Sequence, residues 1–193
     1  MKKITLIVFS VFYSFANAQN PLLIPDTISG TSINLTVADS IHQFYTGYNT
    51  NTIGFNGSYL GPTIILNKGQ NVTMNVNNQL TDTTTVHWHG LHVAPTNDGS
   101  PHSPILPSAT WSPGFTVMDN AGLYWYHPHL HMKTFQQVVK GAAGLIIVRD
   151  SIESTLTLPR TYGMDDIPLV FQFKTMNTTT KQFLMSDSMD NVV

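Results

Sequence analysis

Seven of the eight histidines in this chain fall between positions 87 and 131, and only His42 lies outside that stretch. Four of them form two H-x-H units, His87-Trp88-His89 and His127-Pro128-His129. On an extended strand, residues i and i+2 project from one face. Each unit therefore presents two imidazoles side by side, with Trp88 or Pro128 turned the other way. If the two strands are neighbours, four imidazoles converge. Neutral imidazole suits copper, zinc, iron or nickel. The chain has no cysteine, which excludes a thiolate zinc site, a disulfide framework and any copper site that needs a Cys ligand. One H-x-H is more often an ordinary strand feature than a ligand pair. Two of them, flanked by aromatics and glycine (WHG, YWYHPH), favour a metal site.

The other candidates carry less weight. His92 and His102 fall in expected loop, and His131 continues the i+2 series at the start of an expected helix, as a neighbour of the ligands. His42 reads as structural or surface. Asp98 is the first carboxylate after His89, with Asp119 the next. An acid beside a metal site can deliver protons, although Asp-Gly is also a frequent turn dipeptide. Gly90 either lets backbone approach the metal, having no Cβ, or simply ends the strand. The H-x-H-x-D spacing that would suit a zinc hydrolase is missing, because Leu91 stands two residues after His89.

The elements that must position these residues read as strands. Ile33, Leu35 and Val37 alternate with polar residues, as do Val72, Met74 and Val76, which is the signature of half-buried strands. PTIILNKG, TTTVHWHGLHV, FTVMDNAG, LYWYHPH and GLIIVRD follow as further strands, with a turn at Lys68-Gly69. One short helix is expected around 131–140, stopped by Gly141. Beyond a connector, SIESTLTLPR, the segments DIPLVFQFK and KQFLMSD read as two more strands around the turn-like NTTT. Two strands cannot bury a core of their own, so they either return to the first domain or begin a second.

Composition agrees with this layout. The 193 residues contain 24 Thr and 15 Asn, and only 10% are charged, against roughly 25% in an ordinary domain. Thr favours strands and Asn favours turns. A net charge of −2 without a basic run argues against nucleic acid or an anionic membrane as partner. The first residues carry Lys2 and Lys3, an apolar stretch over 4–15 and an Ala16-Asn17-Ala18 site. That is a Sec-type secretory signal, cleaved after Ala18 and too short to span a membrane comfortably. It predicts bacterial export, to the periplasm or beyond.

TVHWHGLHV, DGSPHSPI and GLYWYHPHLHMKTFQQVVKGAAGLIIVRD resemble the N-terminal cupredoxin domain of bacterial multicopper oxidases, the family of laccase-like enzymes, periplasmic cuprous oxidases and bilirubin oxidases. GFNGSYLGPTIILNKGQNVTMNVNNQL resembles the family's lead-in, and YGMDDIPLVFQFK its entry to a second domain. The resemblance implies a fold: an all-β, cupredoxin-like Greek-key sandwich or barrel with one short helix, plus the first strands of an incomplete second cupredoxin domain. The expected boundaries are 1–18 signal peptide, 19–150 N-terminal domain, 151–160 linker and 161–193 the start of the next domain.

It also implies an activity, one-electron oxidation of a small substrate or of Cu(I) coupled to reduction of O2 to water. In the family, electrons enter at a type 1 copper held by Cys and His. They pass to a trinuclear cluster whose eight histidines come as four H-x-H units, two from the first domain and two from the last. Carried over by position, His87 matches the type 2 ligand and His89, His127 and His129 match type 3 ligands. Asp98 matches the acidic residue implicated in proton delivery.

The sequence departs from the pattern in places. Met132 stands where many relatives have Gly, DGSPH replaces DGGP-Q, and the H-C-H motif, the second pair of H-x-H units and a Met-rich insert are not found in these residues. The resemblance implies that the chain supplies half of a trinuclear copper site, that the type 1 site and the C-terminal cupredoxin domains are missing from it, and that no activity is expected from it alone. The alternative is a stand-alone exported module that binds or sequesters copper.

Overall fold

The computed structural model of the chain describes residues 22–185. The expected secretory signal, 1–18, and the last residues of KQFLMSD lie outside that range. Ten strands run in order as β1 (Thr27–Ser29), β2 (Ser32–Tyr45), β3 (Tyr48–Phe55), β4 (Thr63–Asn67), β5 (Asn71–Asn78), β6 (His87–His89), β7 (Thr110–Trp111), β8 (Gly114–Thr116), β9 (Gly122–His127) and β10 (Gly144–Arg149). One helix, α1 (Thr134–Val139), lies between β9 and β10.

These strands make two packed sheets. One has the order β1-β4-β10-β9-β6; the other has the order β3-β2-β5-β7, with β8 also paired to β5. Parallel and antiparallel pairs mix, as crossovers between two layers require: β2 runs parallel to β5 and β4 parallel to β10, while β9 is antiparallel to both β10 and β6. The alternation seen in the sequence sets the inward face. Ile33, Leu35 and Val37 of β2 are buried beside Met74 and Val76 of β5, with Ile33 opposite Met74 and Leu35 opposite Val76. Ile64, Leu66, Ile146 and Val148 close the core from the facing sheet. This is the all-β cupredoxin-like sandwich with one short helix, as expected.

The core's aromatic centre is Trp88. It is fully buried, stacks on Trp111 at 6.2 Å and lies 6.3 Å from Tyr126. Its burial turns the flanking His87 and His89 outward, because neighbouring strand residues face opposite ways.

One strand was not foreseen in the sequence, and two expectations change. β3 had no apolar alternation because two of its inward positions are Thr50 and Thr52, buried with their hydroxyls bonded to the carbonyls of Lys181 and Ser58. The helix is shorter than 131–140, since Met132 takes a left-handed φ of 61° just before it. DIPLVFQFK and KQFLMSD do not form ladder strands within the described residues; each makes one isolated bridge, Asp166 to Tyr162 and Phe183 to Met176. No strand lies alongside 167–175 to accept its hydrogen bonds, and Leu169, Val170, Phe171 and Phe173 are all exposed. The NTTT turn is present, with Asn177 Oδ1 accepting the amides of Thr179 and Thr180. After it, Phe183 is buried 5.5 Å from Phe44 and Gln182 bonds the edge of β3.

Candidate metal centre

β6 and β9 pair at the end of their sheet with His87 opposite His127, Trp88 opposite Tyr126 and His89 opposite Trp125. The two H-x-H units thus lie on adjacent strands and face the same way. The His87 ring lies 5.4 Å from His89, 5.6 Å from His127 and 5.4 Å from His129. Ligand nitrogens of His87, His89 and His127 come within 4.8 Å of one another. His129 stands beside this trio by its ring, 5.9 Å from His127, and projects into solvent.

Hydrogen bonds decide which nitrogens are free. His87 Nδ1–H donates to the Asp98 carbonyl at 3.0 Å, and His127 Nδ1–H donates to the Pro128 carbonyl at 2.7 Å. A ring that has committed Nδ1–H to a carbonyl presents Nε2 as a bare lone pair, the usual arrangement for a metal-binding imidazole. His127 Nε2 faces His89 Nδ1 at 3.1 Å. Two nitrogens at that separation can share one ion, given metal–nitrogen bonds of about 2.0 Å as at zinc. The donor set is nitrogen only, so it fits copper or another imidazole-seeking first-row ion.

Burial favours the neutral form of two of these rings, His127 and His89. Burial lowers His127 to a pKa of about 4, helped by the neighbouring imidazoles and opposed by its bond to Pro128. Burial and the charges of His87 and His129 also lower His89, with Asp98 pulling the other way. Neutral imidazoles bind metal without first releasing a proton.

Asp98 reaches the site through a loop folded onto β6. Its carbonyl accepts from His87 Nδ1 and from the Trp88 amide, while Trp88 Nε1 donates to the Asn97 carbonyl. Gly99 makes that approach possible. It has φ 71°, and a Cβ there would lie 1.7 Å from the Val86 carbonyl oxygen. The Asp98 carboxylate Oδ1 stands 3.3 Å from His87 Nδ1, so the acid is beside the cluster and touches a ligand ring. Gly90, with φ 92°, ends β6.

The remaining histidines are elsewhere. His92 is exposed and pairs at 2.5 Å with the buried carboxylate of Asp119. His42 lies tilted against Phe44 and Tyr59 and contacts Ser58. His102 and His131 are exposed and outside the ligand group. Sequence reasoning missed Trp125, whose ring stacks on His127 at 4.0 Å and tilts against His89 at 4.8 Å. Its signal was present, two residues before His127 on the same strand face.

Residues 36–153 match the family model for multicopper oxidases. A multicopper oxidase of Staphylococcus aureus is 40% identical over 133 residues, which covers 69% of this chain and 29% of that protein. The cell division protein FtsP of Escherichia coli is 35% identical over 167 residues, covering 85% of this chain and 36% of that one. Among solved structures, the laccase-like multicopper oxidase CueO of Ochrobactrum sp. has a TM-score of 0.82 at 37% identity, over 88% of this chain and 39% of that one. McoA of Aquifex aeolicus has a TM-score of 0.80 at 32% identity, over 88% of this chain and 38% of that one. The chain therefore spans between 29% and 39% of the length of these relatives. With the family model covering most of the sandwich and the paired H-x-H units at its edge, this chain belongs to the multicopper oxidase family.

Proposed function

We propose that this chain supplies the N-terminal half of a trinuclear copper site. His87 would act as type 2 ligand and His89, His127 and His129 as type 3 ligands. The observation that carries the reading is the convergence of His87, His89 and His127 within 4.8 Å, with two Nδ1–H groups held by backbone carbonyls. When bound, copper supplies one-electron transfer. Burial favours the neutral form of His89 and His127, and the chain's own residues orient three imidazoles. They also hold a carboxylate, Asp98, at His87 Nδ1, where it can hold or pass on a proton.

The complete protein would then be an oxidoreductase that couples oxidation of a small reducing substrate or Cu(I) to reduction of O2 to water. Its remaining histidines and its type 1 copper would come from C-terminal cupredoxin domains. The stretch 19–150 is the N-terminal domain, 151–160 a linker and 161–193 the beginning of the next domain. Exposed Phe171 and Phe173 in the last stretch support that division, since apolar side chains of this size are usually covered. Residues 1–18 would direct export to the periplasm or outside the cell. No helix among the described residues is long and apolar enough to cross a membrane.

The test is an assay of the full chain after addition of copper. The half-site reading predicts bound copper without turnover of a phenolic dye or of Cu(I). Turnover would overturn the claim that this chain alone lacks electron entry. Tight, stoichiometric copper binding by a monomer that refolds with no other domain would favour the sequestering module.

A further inference from the structure

The two ligand units are not held alike. His87 and His89 both lie inside β6, and His127 closes β9. His129 lies beyond the ladder, after a proline that carries no N–H and cannot extend it. Its backbone should be loose there. Instead the His129 amide donates to Thr85 Oγ1 at 2.6 Å. Thr85 stands two residues before His87, as His129 stands two after His127, so it occupies the place opposite His129 in the β6–β9 register. A side-chain hydroxyl thus takes over where the main-chain ladder stops.

This acceptor is itself braced. Thr84 and Thr85 are fully buried, and Gln137 of α1 is 4% exposed. Thr84 Oγ1 donates to Gln137 Oε1 at 2.8 Å, and Gln137 Nε2 donates to the Thr83 carbonyl at 3.0 Å. Lys133, one residue ahead of α1, pairs with Asp82 at 2.6 Å. The segment 82–85 leading into the first ligand unit therefore grips the segment 129–137 leaving the second. A buried side-chain network of this kind, with each member satisfied, fixes one geometry.

We infer that Thr85 is the positioning residue for the fourth imidazole, with Thr84 and Gln137 bracing it. The inference rests on the copper reading of the site and adds a residue that sets its ligand count. Loss of the hydroxyl frees His129 to swing away, so the site keeps the imidazoles of His87, His89 and His127 and loses one.

The test titrates Cu(II) into the full native chain and into Thr85→Val and Thr85→Ser, counting coordinated imidazoles by pulsed EPR. Thr85→Val, which keeps the shape and removes the acceptor, is expected to lose one imidazole and bind Cu(II) on the order of 10-fold more weakly. Thr85→Ser restores both, and adding His129→Ala to Thr85→Val produces no further loss. An unchanged imidazole count and affinity in Thr85→Val overturn the inference. If that variant does not fold, amide exchange in the native chain decides: a protected His129 amide supports the clamp, and one exchanging as fast as an open loop refutes it. A native chain that takes up no copper refutes the metal reading, while the exchange result still judges the clamp.

Discussion

The edge of the sandwich at β6 and β9 and the stretch 161–185 are built on opposite terms. At the first, each polar group near the ligands has a partner within the chain: His87 and His127 in carbonyls, His129 in Thr85, Trp88 Nε1 in Asn97. At the second, Leu169, Val170, Phe171 and Phe173 stand in solvent, and the stretch engages the sandwich through scattered polar anchors, Tyr162, Asp166, Lys174 and Gln182, and the buried ring of Phe183. The histidine edge is held in place by the chain's own hydrogen bonds. The C-terminal stretch carries an apolar face that it does not cover by itself. Positioning of the candidate ligands is thus local to the sandwich edge, and covering of that apolar face is not.

That contrast can be broken most severely at Trp88. Trp88→Ala removes the aromatic centre of the core and is expected to cost about 4 kcal/mol in denaturant unfolding, collapsing the strand that presents His87 and His89. Gly99→Ala should cost on the order of 2 kcal/mol, because its φ of 71° and the Val86 carbonyl leave no room for a Cβ. The displaced loop would also release the Asp98 carbonyl from His87, so copper affinity should fall with stability.

The two regions also differ in pH dependence: burial lowers Lys174 of the C-terminal stretch to about 8, whereas the histidine edge responds in the acid range. His127 titrates near 6.5 when unfolded and at about 4 when folded. Between those values the unfolded chain binds more protons, so the metal-free protein gains stability as pH rises from about 4 to about 6.5. His127→Gln should flatten that part of the profile in urea unfolding. The smallest effect is expected in the other region: Phe173→Ser should change unfolding free energy by less than about 0.5 kcal/mol while raising solubility. A large loss there would show that the stretch is part of the sandwich's core.

Much of this was legible in the sequence. The i+2 spacing of His87 with His89 and of His127 with His129 already placed paired imidazoles on strand faces, and the alternation in β2 and β5 marked the inward side. What was hidden depended on contacts between distant residues. β3 escaped notice because buried Thr50 and Thr52 look polar, although their hydroxyls are satisfied internally. Thr85 looked like one of three consecutive threonines until the register set it opposite His129. The two terminal strands were expected from apolar composition alone, but a strand needs a neighbour, and 167–175 has none among the described residues.

The central claim is that His87, His89, His127 and His129 converge as one copper-holding edge. Calorimetric titration of Cu(II) into the metal-free full chain, beside the variant carrying His89→Ala and His127→Ala, tests it most directly. The account predicts binding by the native chain and a loss of affinity above about 100-fold in the variant. Equal affinity in the two proteins, or no binding by the native chain, would contradict it.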